Sequence, residues 1–255
     1  MAVKIYSGTS GYSYKEWVGS FYPDTLEPED WLTYYSKQLP SVELNNTFYR
    51  MPKEHVVTAW CDSVPATFKF VIKASRRITH QSRLKNAQEA TGYLVKRGAL
   101  LGKKLGAVLF QLPPYMRADI ERLNQFQALL PQDFPAVFEF RHPSWFEQDV
   151  KHALGEFGHG WVVSHDDETT PVDFHVSGSV AYLRLRNSQY TLPQLRKWRA
   201  AIDKSDAKNA FVFFKHEEAG AGPQLAKKFL GLAKPPQRAS KRTPQASKKA
   251  GEQSA

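Results

Sequence analysis

Hydrophobic and polar positions along the 255-residue chain fall into two alternating patterns. Short β-rich runs recur roughly every 25 to 40 residues, and each is followed by a stretch of helical composition. Eight runs are predicted as strands: 3–7, 42–47, 68–75, 106–112, 136–141, 161–166, 180–186 and 209–215. Helices are predicted over 28–38, 53–63, 86–103, 119–130, 146–157, 192–201 and 223–232, while 167–178 reads as non-helical. Several helix starts carry their own signals: Pro28 before Glu29 and Asp30, Asp119 before Ile120 and Glu121, and Pro193 just inside another. Such alternation argues for βαβ units on a parallel sheet. Eight units, in a chain near the roughly 250 residues typical of that architecture, predict one α/β domain over 1–232, a single (β/α)8 TIM barrel. A doubly wound open sheet is the alternative.

Parallel strands covered on both faces should read as near-continuous aliphatic runs. Several here alternate instead. In 42–47 the apolar set is Val42 and Leu44, so a period of two sends Glu43, Asn45 and Thr47 to the other face. Lys69 and Lys73 share a face opposite Phe68, Phe70 and Ile72, and Gln111 lies opposite Val108, Phe110 and Leu112. Phe138 and Phe140 leave Glu139 and Arg141 opposite, Ala181, Leu183 and Leu185 leave Tyr182, Arg184 and Arg186, and Val212 and Phe214 leave Lys215. The apolar face of a barrel strand must meet the helices, so these polar groups are predicted to point inward. Most lie toward strand C-terminal ends, where barrel active sites are built. Among Glu43, Lys73, Glu139, Arg141, Arg184, Arg186 and Lys215, cations outnumber acids five to two. An unpaired ion away from water is costly, so these groups pair with one another, are hydrated, or await a ligand. The surplus of cations predicts an anion such as a phosphate or carboxylate. The plainer alternative is a self-satisfied ion network that only fills the barrel.

The loop 76–85 carries four fixed positive charges, Arg76, Arg77, Arg83 and Lys85, and no acid. It reads either as a lid over an anion or as a solvated basic loop. Pro143 biases His142 toward extended geometry and Ser144 is placed to cap the next helix, which would hold His142 at the rim of the mouth. Glu43, Glu139, His142, His165, Asp166, His216 and Glu217 all fall at strand ends. No close HxH or HExxH spacing is present, and neighbouring cations disfavour a further positive charge, so neither a metal nor another cofactor is expected.

Composition changes the picture only at the end of the chain. Residues 233–255 hold no aromatic or β-branched aliphatic residue and are predicted to be a disordered basic tail. Six basic residues there stand against one acid, a net of +5 that is half of the formal +10. The barrel itself is only mildly basic. Nucleic acid, if bound, would meet the tail and the 76–85 loop, with Trp17 and Trp145 as candidate stacking aromatics. The first residues show no charged segment leading into an apolar stretch, and no window of about 18 apolar residues occurs, so neither a signal peptide nor membrane insertion is expected. A lone Cys61 forms no internal disulfide, which fits a cytoplasmic protein.

Six motifs are recognisable in order: Ser7-Gly8-Thr9-Ser10-Gly11-Tyr12, Val42-Glu43-Leu44-Asn45-Asn46-Thr47-Phe48-Tyr49, Phe70-Val71-Ile72-Lys73-Ala74-Ser75, Ile78-Thr79-His80, Phe110-Gln111-Leu112-Pro113-Pro114 and Phe138-Glu139-Phe140-Arg141-His142-Pro143-Ser144-Trp145. Together they resemble the YecE-like family, also called domain of unknown function family 72. The resemblance implies a TIM barrel without implying a reaction. It picks out Glu43, Lys73, Gln111, Glu139 and Arg141 independently of strand parity. Two elements depart from the family pattern. An aromatic-x-Arg-x-His-Gly end to strand seven is replaced by Tyr182-Leu183-Arg184-Leu185-Arg186-Asn187, and a Phe-Asn-Asn end to strand eight by Phe214-Lys215-His216-Glu217. The cationic excess therefore belongs partly to this branch.

These readings converge on an enzyme, a hydrolase or lyase, acting on a small anionic or phosphate-bearing substrate by acid/base chemistry. Glu43, Lys73 and Glu139 are its candidate catalytic residues. Asn45, His80, Gln111, Arg141, His142, Arg184, Arg186 and Lys215 are the candidate binding residues, with Lys73, Arg141 and Arg184 as an electrostatic clamp. Lys73 is alternatively a Schiff-base nucleophile if neighbouring cations depress its pKa. A nucleic-acid-binding or processing barrel and a non-catalytic metabolite-binding protein are the competing classes.

Overall fold

The computed structural model describes residues 2–166, 174–187, 189–215 and 220–232. Eight parallel strands close into a barrel in sequence order: β1 (Lys4–Ser10), β2 (Ser41–Leu44), β3 (Lys69–Lys73), β4 (Leu105–Gln111), β5 (Ala136–Glu139), β6 (Gly160–His165), β7 (Val180–Leu185) and β8 (Asn209–Phe214). β8 returns to β1 in register from Lys4 opposite Asn209 to Thr9 opposite Phe214. The helices α1 (Trp31–Gln38), α2 (Glu54–Asp62), α3 (Gln88–Ala99), α4 (Ile120–Gln127), α5 (Gln148–Glu156), α6 (Leu192–Asp203) and α7 (Ala221–Leu230) follow every strand but β6. The predicted (β/α)8 architecture is therefore observed; of the segment predicted as non-helical, 174–178 forms no helix and 167–173 lies outside the described residues. The predicted tail at 233–255, and His216 and Glu217, lie outside those residues.

Local chemistry sets the element ends. The Asp119 side chain caps α4 by accepting from the Arg122 N–H at 3.0 Å. Thr191 and Gln194 form a reciprocal capping box at α6, with Pro193 in its first turn. α3 begins at Gln88 rather than 86 because Arg83, Leu84 and Asn86 hold left-handed φ of 47°, 67° and 47°. β2 ends at Leu44, short of the predicted 47, because Thr47 turns back. Its buried hydroxyl lies 2.7 Å from Leu44 O and 2.8 Å from Lys73 O, and accepts from the Lys73 N–H at 3.1 Å. Thr47 thus pins the tops of β2 and β3 together and, contrary to the parity reading, does not enter the lumen as a strand residue.

Two packed layers result. Outside the barrel, Val42, Leu44, Phe70, Ile72, Val108, Phe110, Phe138, Leu183, Leu185, Val212 and Phe214 meet the helices. Inside, Tyr6, Val71, Ala107, Leu109, Val137, Val162, Tyr182, Phe211 and Phe213 fill the lumen. Phe211 stacks on Tyr6 with ring centroids 5.1 Å apart. It also lies against Gly106, where a Cβ would meet the Phe211 ring at 2.7 Å, so only glycine admits this aromatic floor. Trp17 and Trp145, candidate stacking aromatics at positions where packing is the commoner role, are 1% and 0% exposed. They are packing residues, because each indole is surrounded by neighbouring rings: Tyr14, Phe21 and Tyr22 around Trp17, and Phe140 against Trp145.

Candidate functional site

Inward parity continues up the strands, and one pleat above the apolar floor it delivers ionic side chains. Glu43 ends the lumen face of β2, Glu139 that of β5, and Arg184 lies near the top of β7. All three are buried. Arg184 joins the two carboxylates: Nη2 donates to Glu43 Oε1 and Nη1 to Glu139 Oε2, both at 2.7 Å. Glu43 also accepts from the Ser10 hydroxyl at 2.7 Å through Oε1 and from the Tyr182 hydroxyl at 2.6 Å through Oε2. Glu139 Oε1 takes Arg186 Nη2 at 3.1 Å and Arg141 Nε at 3.4 Å. Arg186 is further held by the Ser164 hydroxyl and lies 3.7 Å from Asp166.

Burial alone would raise both carboxyl pKa values. The charge and hydrogen bonds of Arg184 outweigh it at Glu43, helped by Tyr182 and Ser10, and pull that pKa below its ordinary value. At Glu139 the charges of Arg184, Arg186 and Arg141 outweigh burial and hold the pKa well below the ordinary carboxylate range. Both are therefore anions at neutral pH, and each holds its position against tightly bonded donors. Tyr182 is pushed well above its normal range by burial and by the Glu43 anion, so it remains a phenol that donates.

Lys73, the last residue of β3, occupies a different position. It is half-buried, and its Nζ stands 4.3 Å from the centroid of the Phe48 ring. Among the described residues it makes no ion pair within 4 Å, the nearby carboxylate oxygens being bonded to guanidinium groups. Burial, reinforced by Arg184 and Arg141 and only partly offset by Glu43 and Glu139, lowers its pKa to about 8. His80 packs edge-on to Phe48 at 5.0 Å, with Thr79 Oγ1 at 2.9 Å from its Nδ1. Burial, Lys73 and Arg141 also push His80 down, so the imidazole is neutral. Arg141 keeps 37% of its side chain exposed, and among the described residues only its Nε finds a partner, Glu139.

Glu43, Lys73, His80, Gln111, Glu139, Arg141, Arg184 and Arg186 are thus neighbours in one mouth. Gln111 lies beside Glu139 and helps hold its pKa down, although its Nε2 makes no hydrogen bond of good geometry. Asn45 Oδ1, Arg184 Nε and Arg186 Nε are likewise buried without a hydrogen-bond partner. His142 joins no ion pair. Its Nδ1 accepts from the Ser144 N–H at 3.2 Å, and Ser144 does not cap α5 as expected, because its hydroxyl accepts from the Ala118 N–H at 2.8 Å. Lys215 is exposed just beyond β8. The 76–85 segment is not a free loop: Arg77–Gln81 forms a π-helical turn whose Ile78 and Thr79 are buried, and Leu84 is buried as well. Arg76, Arg77, Arg83 and Lys85 remain exposed above it. Sequence reasoning omitted Tyr182, Ser10, Ser164 and Phe48 from the site. Tyr182 shares parity with Arg184 and could have been chosen; Ser10 was missed because β1 runs three residues beyond its predicted end at 7.

Among the described residues no three His, Cys, Asp or Glu side chains are disposed to hold a metal ion, and no helix is long and apolar enough to cross a membrane.

A closed eight-stranded barrel whose polar mouth lies at the C-terminal ends of its strands defines the class of (β/α)8 proteins with a site on the C-terminal face. Within that class the chain belongs to the family described as protein of unknown function DUF72, whose model matches residues 6–249. It is similar to the UPF0759 protein YunF of Bacillus subtilis, 25% identical over 89% of this chain and 94% of that protein. It is also similar to the UPF0759 protein YecE of Escherichia coli strain K12, 28% identical over 60% of this chain and 56% of that protein. The crystal structure of a DUF72 family protein from Thermotoga maritima shares the fold with a TM-score of 0.79, covering 89% of this chain and 98% of the other at 24% identity. A DUF72 family protein from Enterococcus faecalis matches with a TM-score of 0.67 at 20% identity, over 91% and 99% of the two chains.

Proposed function

We propose that the barrel mouth is the active site of an enzyme acting on a small anionic or phosphate-bearing substrate by acid/base chemistry. The observation that carries this reading is Lys73, an inward-facing amine at a strand C-terminus with no ion-pair partner among the described residues and a pKa lowered by burial to about 8. At pH 7 roughly one such group in ten is neutral, against fewer than one in a thousand for an ordinary lysine. It can therefore take a proton from substrate and return it near physiological pH. Glu43 and Glu139 are held ionised by Arg184 and their other donors, and they act on Lys73 as an electrostatic field. Arg184 is consumed by those two carboxylates, which moves the anion-binding part of the clamp to Arg141 and Lys73. The buried Asn45, Gln111, Arg184 and Arg186 atoms that lack partners are further points a polar ligand would satisfy.

The test is calorimetric titration with inorganic phosphate, pyrophosphate and small sugar phosphates, alongside a turnover screen over the same panel. Binding that weakens about tenfold or more in Lys73→Gln and Arg141→Gln, with turnover lost in the former, supports the reading. Binding by wild type that neither substitution alters would refute it. A nucleic-acid partner is the second reading, favoured by Tyr49, 71% exposed with the Arg76 guanidinium 6.0 Å from its ring, beside Arg77, Arg83 and Lys85. If that reading holds, single-stranded oligonucleotides bind with a steep salt dependence that Tyr49→Ala reduces; binding indifferent to both removes it.

A further inference from the structure

We infer that the Lys73 amine condenses with the carbonyl carbon of a small anionic aldehyde or ketone, while Arg141 holds the anionic end of that molecule. The inference rests on the reading of the mouth as an anion site and selects within it: lyase rather than hydrolase chemistry, and a carbonyl compound as substrate. Three features of the geometry support it.

Lys73 Nζ is uncommitted. The Glu43 and Glu139 oxygens are taken by Ser10, Tyr182, Arg141, Arg184 and Arg186, so the lysine is not there to neutralise them. It borders solvent against the Phe48 face rather than lying sealed in the floor. The surroundings also suit the product of condensation. An iminium is a cation, and the anions Glu43 and Glu139, whose charges act on Lys73, with the Phe48 ring beside it, favour a permanent positive charge at that point. Finally, Arg141 acts electrostatically on both Lys73 and His80, and its two Nη groups make no hydrogen bond with any described residue. A guanidinium fork of that kind is matched by a carboxylate or a phosphate.

The step balances without any oxidant or reductant. The neutral amine adds to the carbonyl carbon, forming the C–N bond, and one proton passes from nitrogen to the former carbonyl oxygen. Protonation of the resulting hydroxyl lets the C–O bond break. The net change converts an ammonium and a carbonyl to an iminium and one water. The lowered pKa of Lys73 supplies the neutral amine near pH 7, a condition this step shares with acid/base catalysis.

Two classes of anion share this chemistry, 2-oxo acids and phosphorylated carbonyl compounds, so the experiment has two arms. The intact protein is incubated with pyruvate or glyoxylate in one and with dihydroxyacetone phosphate in the other, reduced with borohydride, and mapped by peptide mass spectrometry. The expected result is a reduced adduct at Lys73 in at least one arm. It forms roughly tenfold or more faster than adducts at the exposed Lys85 in the same sample, because the mouth holds the anionic end of the reagent beside Lys73. Excess sulfate slows it. The arm that reacts identifies the anion. Because the readout is site mapping in wild-type protein, it does not depend on a variant folding; Lys73→Met, checked for its fold by circular dichroism, is expected to lose the adduct. No Lys73 adduct in either arm, or equal labelling of Lys73 and Lys85, overturns the inference. Should phosphate still bind in a Lys73-dependent way, the anion-site reading survives that failure. If phosphate binding also ignores Lys73, both fall.

Discussion

The lower and upper halves of the barrel lumen are built from the same strands with the same inward parity, yet they are chemical opposites. Climbing one pleat changes Leu109 to Gln111 on β4, Val137 to Glu139 on β5 and Tyr182 to Arg184 on β7, while β8 continues from Phe211 to Phe213. The lower half is held by packing, with Tyr6, Phe211 and their aliphatic neighbours excluding water. The upper half holds a buried Glu43–Arg184–Glu139 triad, which packed aliphatics of similar volume would replace at little or no loss of stability. A fold has no need of such a triad, and a site that must aim charge at a fixed point does. The comparison teaches that the apolar floor supplies the stability, while the polar half above it holds charges at fixed points that stability alone does not require.

Removing the central cation should be the most damaging change. Arg184→Met leaves two carboxylates buried without their main partner and is expected to cost about 3 to 5 kcal/mol, read from urea denaturation. A loss below about 1 kcal/mol would mean that Glu43 and Glu139 rehydrate freely, and the contrast between the halves would be gone. Phe211→Ala probes the floor and is expected to cost about 3 kcal/mol through lost burial and a cavity, while the chemistry of Lys73 stays intact. If instead labelling of Lys73 changed as much as stability did, the two halves would not be separable. Tyr182 sits at their boundary. Tyr182→Phe removes one donor to the Glu43 anion and is expected to cost roughly 1.5 to 3 kcal/mol.

Acid should act through the upper half alone. The folded pKa values of Glu43 and Glu139 lie below the unfolded value of about 4.3, so the unfolded chain binds more protons as pH falls. Their stabilisation is complete above about pH 5 and is lost below it, at up to about 1.4 kcal/mol per pH unit for each carboxylate. Thermal unfolding from pH 6 to pH 3 checks this, and a Glu139→Gln protein should show a shallower decline. The smallest effect has the opposite sign. The folded pKa of Lys73 is lowered to about 8, so its charged form is penalised below that pH and the penalty is relieved as pH rises toward 10. Lys73→Met is expected to stabilise the protein at pH 7 by about 1 kcal/mol, discounted for partial exposure. That gain should vanish near pH 10.

Much of this arrangement was legible in the chain. Strand–helix alternation yielded the barrel, and a period of two put Glu43, Lys73, Gln111, Glu139, Arg184 and Arg186 inside it, because both signals are local and each residue reports its own face. The inventory of charges also suggested one common cationic clamp, and there the reading was too coarse. Arg184 and Arg141 carry the same charge and the same parity. One is buried between two carboxylates and the other keeps an exposed fork at the rim.

That distinction depends on closure. Bringing β7 beside β8 and β8 beside β1 carries Arg184 across to Glu43, 141 residues earlier in the chain, and to Glu139, 45 residues earlier. Closure also spends the carboxylates on guanidinium groups and so leaves Lys73 against Phe48 without an ion partner. A residue's face follows from its own backbone and the alternation around it, and the sequence by itself determined that much. Which ions are matched, which pKa values fall and which amine is left beside an aromatic ring depend on distances between strands far apart in the chain. Those distances exist only in the folded barrel, and the tertiary structure alone decided them.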